Sequence, residues 1–226
     1  MTKLRSTPNR LASNFAIKSS LSPHKTMISS RTQLLHVDYL EEENIADLEL
    51  EEHLIENKEF YDCTFQRCNF FKSRFVGCRV EACTFEDCDL SAARVTNSIF
   101  IDSSFVRSKA SGINWAEMRK FIGSLSFSFV DSNVNYASFM ELNIKGSLFI
   151  NCVARDINFC DANLSNTIFK NTDLSGTHFL RTNLTEADFS DAHNYAIDPA
   201  NNSLKGAIFS APEVLSLLHS LGIIIR

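Results

Sequence analysis

The segment Ala162-Asn163-Leu164-Ser165-Asn166-Thr167-Ile168-Phe169-Lys170-Asn171-Thr172-Asp173-Leu174-Ser175-Gly176 decides the fold. Leu164, Phe169 and Leu174 recur at every fifth residue, and Ala162, Thr167 and Thr172 stand two places before them. Residues two apart in an extended segment share one face. Each unit of five therefore turns one small and one large side chain inward, then needs a corner to bring the next unit in. An α-helix would require a 3.6-residue period instead.

The same step runs outward in both directions. It reads Phe60, Phe65, Phe70, Phe75, Val80, Phe85, Leu90, Val95, Phe100, Phe105, Ala110 and Trp115, and it resumes from Phe129 to Phe209. Of these 29 positions 27 are apolar, where a 44% hydrophobic composition would give about 13. They hold fifteen of the nineteen Phe, which accounts for the aromatic excess. The small positions read Cys63, Cys68, Ser73, Cys78, Cys83, Cys88, Ala93, Ser98, Ser103 and Ser108, then Ala162 through Ala192. In the second run Phe129, Phe139, Phe149, Phe159, Phe169, Phe179 and Phe189 alternate with Val134, Ile144, Ala154, Leu164, Leu174 and Leu184. With four sides per coil, that alternation stacks like on like, two sides of Phe and two of aliphatics, which packs without voids.

Units such as Cys88-Asp89-Leu90-Ser91-Ala92, Thr172-Asp173-Leu174-Ser175-Gly176 and Ala187-Asp188-Phe189-Ser190-Asp191 resemble the A(D/N)LXX unit of the pentapeptide-repeat family. The resemblance covers roughly residues 45–211. It implies an all-β fold, a right-handed quadrilateral β-helix of about 20 residues per coil, here with a C-terminal capping helix. Ile45 to Phe209 would then make about eight coils, a rod of about 40 Å at ~4.8 Å per coil.

The spacing divides the chain. Residues 1–37 carry six Lys/Arg and no Asp or Glu, and read as a disordered basic, Ser-rich tail, with an organellar transit peptide as the alternative. Coils follow over 38–115 and 129–211. Trp115 to Phe129 is fourteen residues rather than fifteen, so 116–128 is a register break or a loop. Asn194 and Pro199 fall on core positions, with Ile197 as a plug. Ser210-Ala211-Pro212-Glu213 fits a helix start. Val214, Leu217, Leu218 and Leu221 then share a helical face over 212–226, with Ile223-Ile224-Ile225 as a terminal strand. That helix is expected to cap the open end of the solenoid or to form a homodimer.

Composition narrows the function. Removing the tail's six cations leaves 16 basic and 27 acidic residues over 38–226, a net of −11. Such a body argues against direct nucleic-acid binding, and no run of 18 apolar residues exists to span a membrane. The Cys spacing of five is the repeat itself and not zinc spacing. Six of the seven Cys occupy small inward positions, so they read as reduced core thiols in a cytoplasmic protein. No nucleophile elbow, P-loop or clustered His motif occurs. The expectation is therefore no enzyme, no metal and no cofactor.

Within the family, the Qnr quinolone-resistance proteins and a microcin-immunity protein share the early Cys/Phe repeats, a central break and a closing segment like Ile197-Asp198-Pro199. That resemblance implies a DNA-mimicking rod bound to DNA gyrase or topoisomerase IV. By position, Glu117, Met118, Arg119, Lys120, Phe121 and Ile122 would form the partner-binding loop. The other reading is a structural or interaction scaffold, or a secreted effector, with another protein partner.

Overall fold

The computed structural model describes residues 27–223. It is a four-sided solenoid of parallel coils. On one side Asn44–Ala46, Thr64–Gln66, Thr84–Glu86, Ser104–Val106, Ser128–Val130 and Leu148–Ile150 pair in register within a 7-stranded sheet. On another, Tyr39–Glu41, Glu59–Tyr61, Arg79–Glu81 and Ile99–Ile101 form a 4-stranded sheet. Parallel bridges such as Asn69↔Asp89 and Asn158↔His178 run down the remaining two sides.

Every fifth residue meets the axis. Ile45, Phe65, Phe85, Phe105, Phe129, Phe149, Phe169, Phe189 and Phe209 form one column, and successive rings lie stacked 4.8–5.1 Å apart. A second column runs Trp115, Phe139, Phe159 and Phe179. Val134, Ala154 and Leu174, and Ile144, Leu164 and Leu184, fill the other two sides, all buried. The four-sided like-on-like stacking expected for the second run is what the structure has. Lys170, one residue past buried Phe169, is exposed. Lys170→Ala is thus expected to leave the urea midpoint within about 0.5 kcal/mol of unchanged.

Most corners are made without glycine. From Glu42 to Arg107 every fifth residue has φ between 48° and 65°, and only Gly77 among them is glycine. Each left-handed turn costs a non-glycine residue roughly 1–2 kcal/mol. The cost is offset because the corner N–H pairs with the next coil, as Glu42 N–H does with Tyr61 C=O at 2.9 Å.

The small inward positions also carry hydrogen bonds. Thr172 Oγ1 donates to Phe149 C=O at 2.8 Å, Thr182 Oγ1 to Phe159 C=O at 2.9 Å, and Ser108 Oγ to Phe85 C=O at 3.0 Å. Each partner lies 23 residues back. In turn Ser98 Oγ accepts Cys78 N–H at 2.9 Å. These groups satisfy backbone polar atoms at corners where the ladder is interrupted. The D/N position has a local role too. Asn163 Oδ1 accepts Ser165 N–H at 3.1 Å, and Asp188 Oδ1 accepts Ser190 N–H at 2.8 Å.

The ends depart from expectation. Residues 1–26 of the expected disordered tail lie outside the described residues. Its last part is ordered: Met27–Ile28 pairs with Asn44 and Ile45, and Arg31–His36 is a helix whose Leu34 is buried. Lys58, on an inward position, reaches up to donate to Val37 C=O at 2.7 Å and pairs with Asp38 at 3.3 Å. A short helix plugging the first coil, tied by a buried lysine, replaces the solvated tail over residues 27–37. At the other end Glu213–Leu221 is a 3₁₀ helix, and its Leu217 packs against the core, as Leu204 and Phe209 do. Val214 and Leu218 are half-buried, while the Leu221 side chain and Ile224–Ile225 lie outside the described residues. Asn194 is not in the core. It is an exposed left-handed corner, and Tyr195 and Ile197 are buried in its place.

Candidate functional site

The register break is an insertion. Ser104 pairs with Ser128 and Lys109 with Asn133, so this coil has 24 residues where its neighbours have 20. Spacing alone cannot separate one residue lost from four gained, because both shift a five-residue phase equally. Ala116 and Glu117 stay wound into the coil, in a 3₁₀ turn over Trp115–Glu117. Glu117 accepts Thr96 Oγ1 at 2.9 Å and faces Arg94 at 3.6 Å. Met118 is buried, and Arg119 N–H donates to Ser98 C=O at 3.0 Å.

Only the next four residues leave the rod. Lys120, Phe121, Ile122 and Gly123 are exposed, Phe121 at 40% and Ile122 at 103%. Gly123 closes the loop at φ 143°, and a Cβ there would come within 2.9 Å of Phe121 Cε1. Asn143 Nδ2 pins its carbonyl at 2.8 Å, and Ser124 Oγ donates to Lys145 C=O at 2.9 Å. Of the six residues expected to bind a partner, the structure exposes Arg119, Lys120, Phe121 and Ile122, half-buries Glu117 and places Met118 inside. On the following coils Met140 and Leu180 stand exposed in the column below Ala116. The sequence reading missed this stripe, because an outward apolar residue carries no periodic signal.

Charge is sorted by edge. Asp47, Arg67, Asp87 and Arg107 alternate up one corner, paired at 2.7 Å for Arg67–Asp47 and 2.8 Å for Arg107–Asp87. These guanidinium partners hold the carboxyls of Asp47 and Asp87 below their usual range. The 4-stranded side instead carries Glu41, Glu42, Glu59, Asp62, Glu81 and Asp102. Among the cations on this side, Lys58 and Arg79 are paired with Asp38 and Glu81, and exposed Arg119 follows on the next coil, its N–H on Ser98 C=O. Tyr39 and Tyr61 lie between these acids with ring centroids 5.5 Å apart. The Tyr39 hydroxyl donates to Glu41 at 2.6 Å, which pushes its pKa up to about 12.

Among the described residues Asp173 is the one buried carboxylate on an outward position. Burial alone would raise it, but Asn194, Ser175 and Arg155 all donate to it and hold it well below the ordinary carboxylate range. A depressed native pKa means that the unfolded chain binds more protons in acid. This stabilisation is whole above about pH 4 and fades as pH falls through the native value. Asp173→Asn should therefore flatten the loss of urea stability between neutral pH and pH 3.

Among the described residues no group of three His, Cys, Asp or Glu is placed to hold a metal, and no helix is long and apolar enough to cross a membrane. All seven cysteines are free, and burial pushes the Cys152 thiol up to about 12. A shallow depression of about 320 Å³ is lined by Cys160, Thr177, His178, Leu180 and Ala196.

Comparison with known proteins agrees with this geometry. The sequence profile described as pentapeptide repeats, 8 copies, matches residues 137–176 and 169–193. No curated protein matches the sequence. A trypsin-treated variant of QnrB1, a plasmid-mediated fluoroquinolone resistance protein, is similar at TM-score 0.52 and 21% identity, over 88% of this chain and 99% of that one. HetL, a pentapeptide-repeat protein involved in heterocyst differentiation regulation in the cyanobacterium Nostoc, is similar at TM-score 0.54 and 16% identity, over 76% of this chain and 85% of that one. With one large and one small side chain turned inward from every five residues, and a left-handed corner between units, this chain has the fold of the pentapeptide-repeat proteins, and its residues 137–193 match the profile of that family.

Proposed function

We propose that this protein is a non-enzymatic, protein-binding rod that occupies the DNA-binding surface of a type II topoisomerase, gyrase or topoisomerase IV, and shields it from inhibitors. The observation that carries the reading is the pairing of two features on one QnrB1-like scaffold. One is the 4-stranded side with Glu42, Asp62 and Asp102 along its edge, free of cationic partners among the described residues. The other is the Phe121–Ile122 tip, which leaves the rod at the far edge of the same side. Carboxylates repeated along a stiff rod compete for a basic groove, and an exposed aromatic–aliphatic tip can anchor in a pocket of the partner.

The test is a gyrase supercoiling assay with and without a fluoroquinolone. Wild-type protein is expected to preserve supercoiling in the drug's presence. Phe121→Ser with Ile122→Ser should abolish that protection while leaving the melting temperature unchanged, since both side chains are exposed. No protection and no gyrase binding by wild-type protein at micromolar concentration would eliminate the proposal. A second reading, a scaffold for a different protein partner, is favoured by the exposed Met140 and Leu180 stripe, which a duplex mimic does not need. On that reading Met140→Ser would weaken partner binding and leave topoisomerase untouched.

A further inference from the structure

Two pairs of thiols stand one above the other inside the first coils. Cys63 and Cys83 hold the same inward position on successive coils, in register with Thr64↔Thr84, with both side chains buried. Cys68 and Cys88 do the same at the next corner, where Cys68 N–H points at Cys88 Sγ, 3.3 Å away. All four are buried and none is in a disulfide. The coil repeat of about 4.8 Å fixes the spacing of each pair. A metal–thiolate bond is about 2.3 Å, so two such bonds in line span about 4.6 Å, nearly the same length.

We propose that Cys63/Cys83 and Cys68/Cys88 are two linear, two-coordinate sites for a soft divalent cation, Hg²⁺ being the ion whose chemistry fits. Thiolates select soft ions. With no three-ligand set among the described residues, tetrahedral Zn²⁺ finds no site, whereas an ion content with two sulfurs in line does. Charge then separates the linear ions. Hg²⁺ with two thiols forms two Hg–S bonds and releases two protons to solvent, leaving a neutral unit in the core. Ag⁺ or Cu⁺ would leave a net negative charge buried without a partner, which is costly. No electron is transferred. The two sites differ in access. Above Cys63 in its column stands half-buried Glu43, whose Oε2 has no hydrogen-bond partner among the described residues, while above Cys68 stands buried Leu48. The upper pair should fill first.

The experiment titrates the reduced full chain with HgCl₂ in the presence of excess glutathione and reads retained metal by native mass spectrometry. Two ions per chain are expected, with the β-sheet circular dichroism intact. Cys83→Ser and Cys88→Ser should each remove one ion. Both variants are expected to fold, because Ser103 and Ser108 occupy the same columns one coil on. Cys160→Ser should keep both. Retention that survives Cys83→Ser and Cys88→Ser but is lost with Cys160→Ser overturns the assignment, as does uptake only with loss of the β-sheet signal. Equal retention of Ag⁺ under the same competition overturns the choice of a divalent ion.

Discussion

Phe159→Ala is expected to lower the unfolding free energy by about 3–5 kcal/mol. Phe159 is fully buried, stacked between Phe139 at 5.4 Å and Phe179 at 5.5 Å, with Phe149 and Phe169 edge-on at 5.7 and 5.9 Å. Its backbone is committed to both neighbouring coils. Phe159 C=O accepts Thr182 Oγ1 at 2.9 Å, and Phe139 N–H donates to Asn158 C=O at 2.8 Å. A coil held on both sides cannot collapse into the space a ring leaves, so most of the void persists. Urea unfolding of the two proteins measures the difference. A loss under about 1 kcal/mol, comparable to Lys170→Ala, would mean that the column relaxes freely and that stacking is not what holds the coils.

How far this structure could be read beforehand depended on whether a feature repeats. The core column, the four sides and the inward cysteines follow from a period of five, and a period needs no knowledge of neighbours. Features set by a single residue stayed hidden. Lys58 sits where the small residue belongs, and only the helix over Arg31–His36 explains why a buried ammonium group is useful there. Asn194 falls on a core position by phase, yet its amide turns out to Asp173 at 3.0 Å and Tyr195 moves in. The corners were expected, but not that Glu, Arg and Lys would fill them. Ladder hydrogen bonds override the usual preference for glycine, and the low glycine count gave no hint of that. At the candidate site the position of the break was legible and its sign was not. Residues 116–119, read as loop, are held by coil hydrogen bonds whose partners lie 20 and 21 residues earlier.

Phe127 shows most directly how the fold absorbs that insertion. It stands two residues before Phe129, in the column of Cys63, Cys83, Ser103, Ser147 and Thr167, where every other coil from Cys63 to Thr167 has a small side chain. Here the winding chain has swung out through Lys120–Gly123, and one side of the coil lacks its core residue. The space is filled by Leu125 and by the Phe127 ring, which lies 5.0 Å from Trp115 and 5.8 Å from Phe139. Phe127→Ser would give this coil the residue that suits the column elsewhere, and sequence pattern alone would rate it harmless. The expected result is the reverse, a loss of about 3–5 kcal/mol, because at this level alone the small residue leaves a cavity. Trp115→Ala should cost a similar amount, and the pair should be non-additive by about 0.5–3 kcal/mol, since each ring is the other's wall. A double-mutant cycle in urea measures it. If Phe127→Ser is neutral, or the two losses simply add, then the insertion is closed by movement of the coils rather than by an outsized side chain, and the loop is held less rigidly than its hydrogen bonds to Asn143 and Lys145 imply.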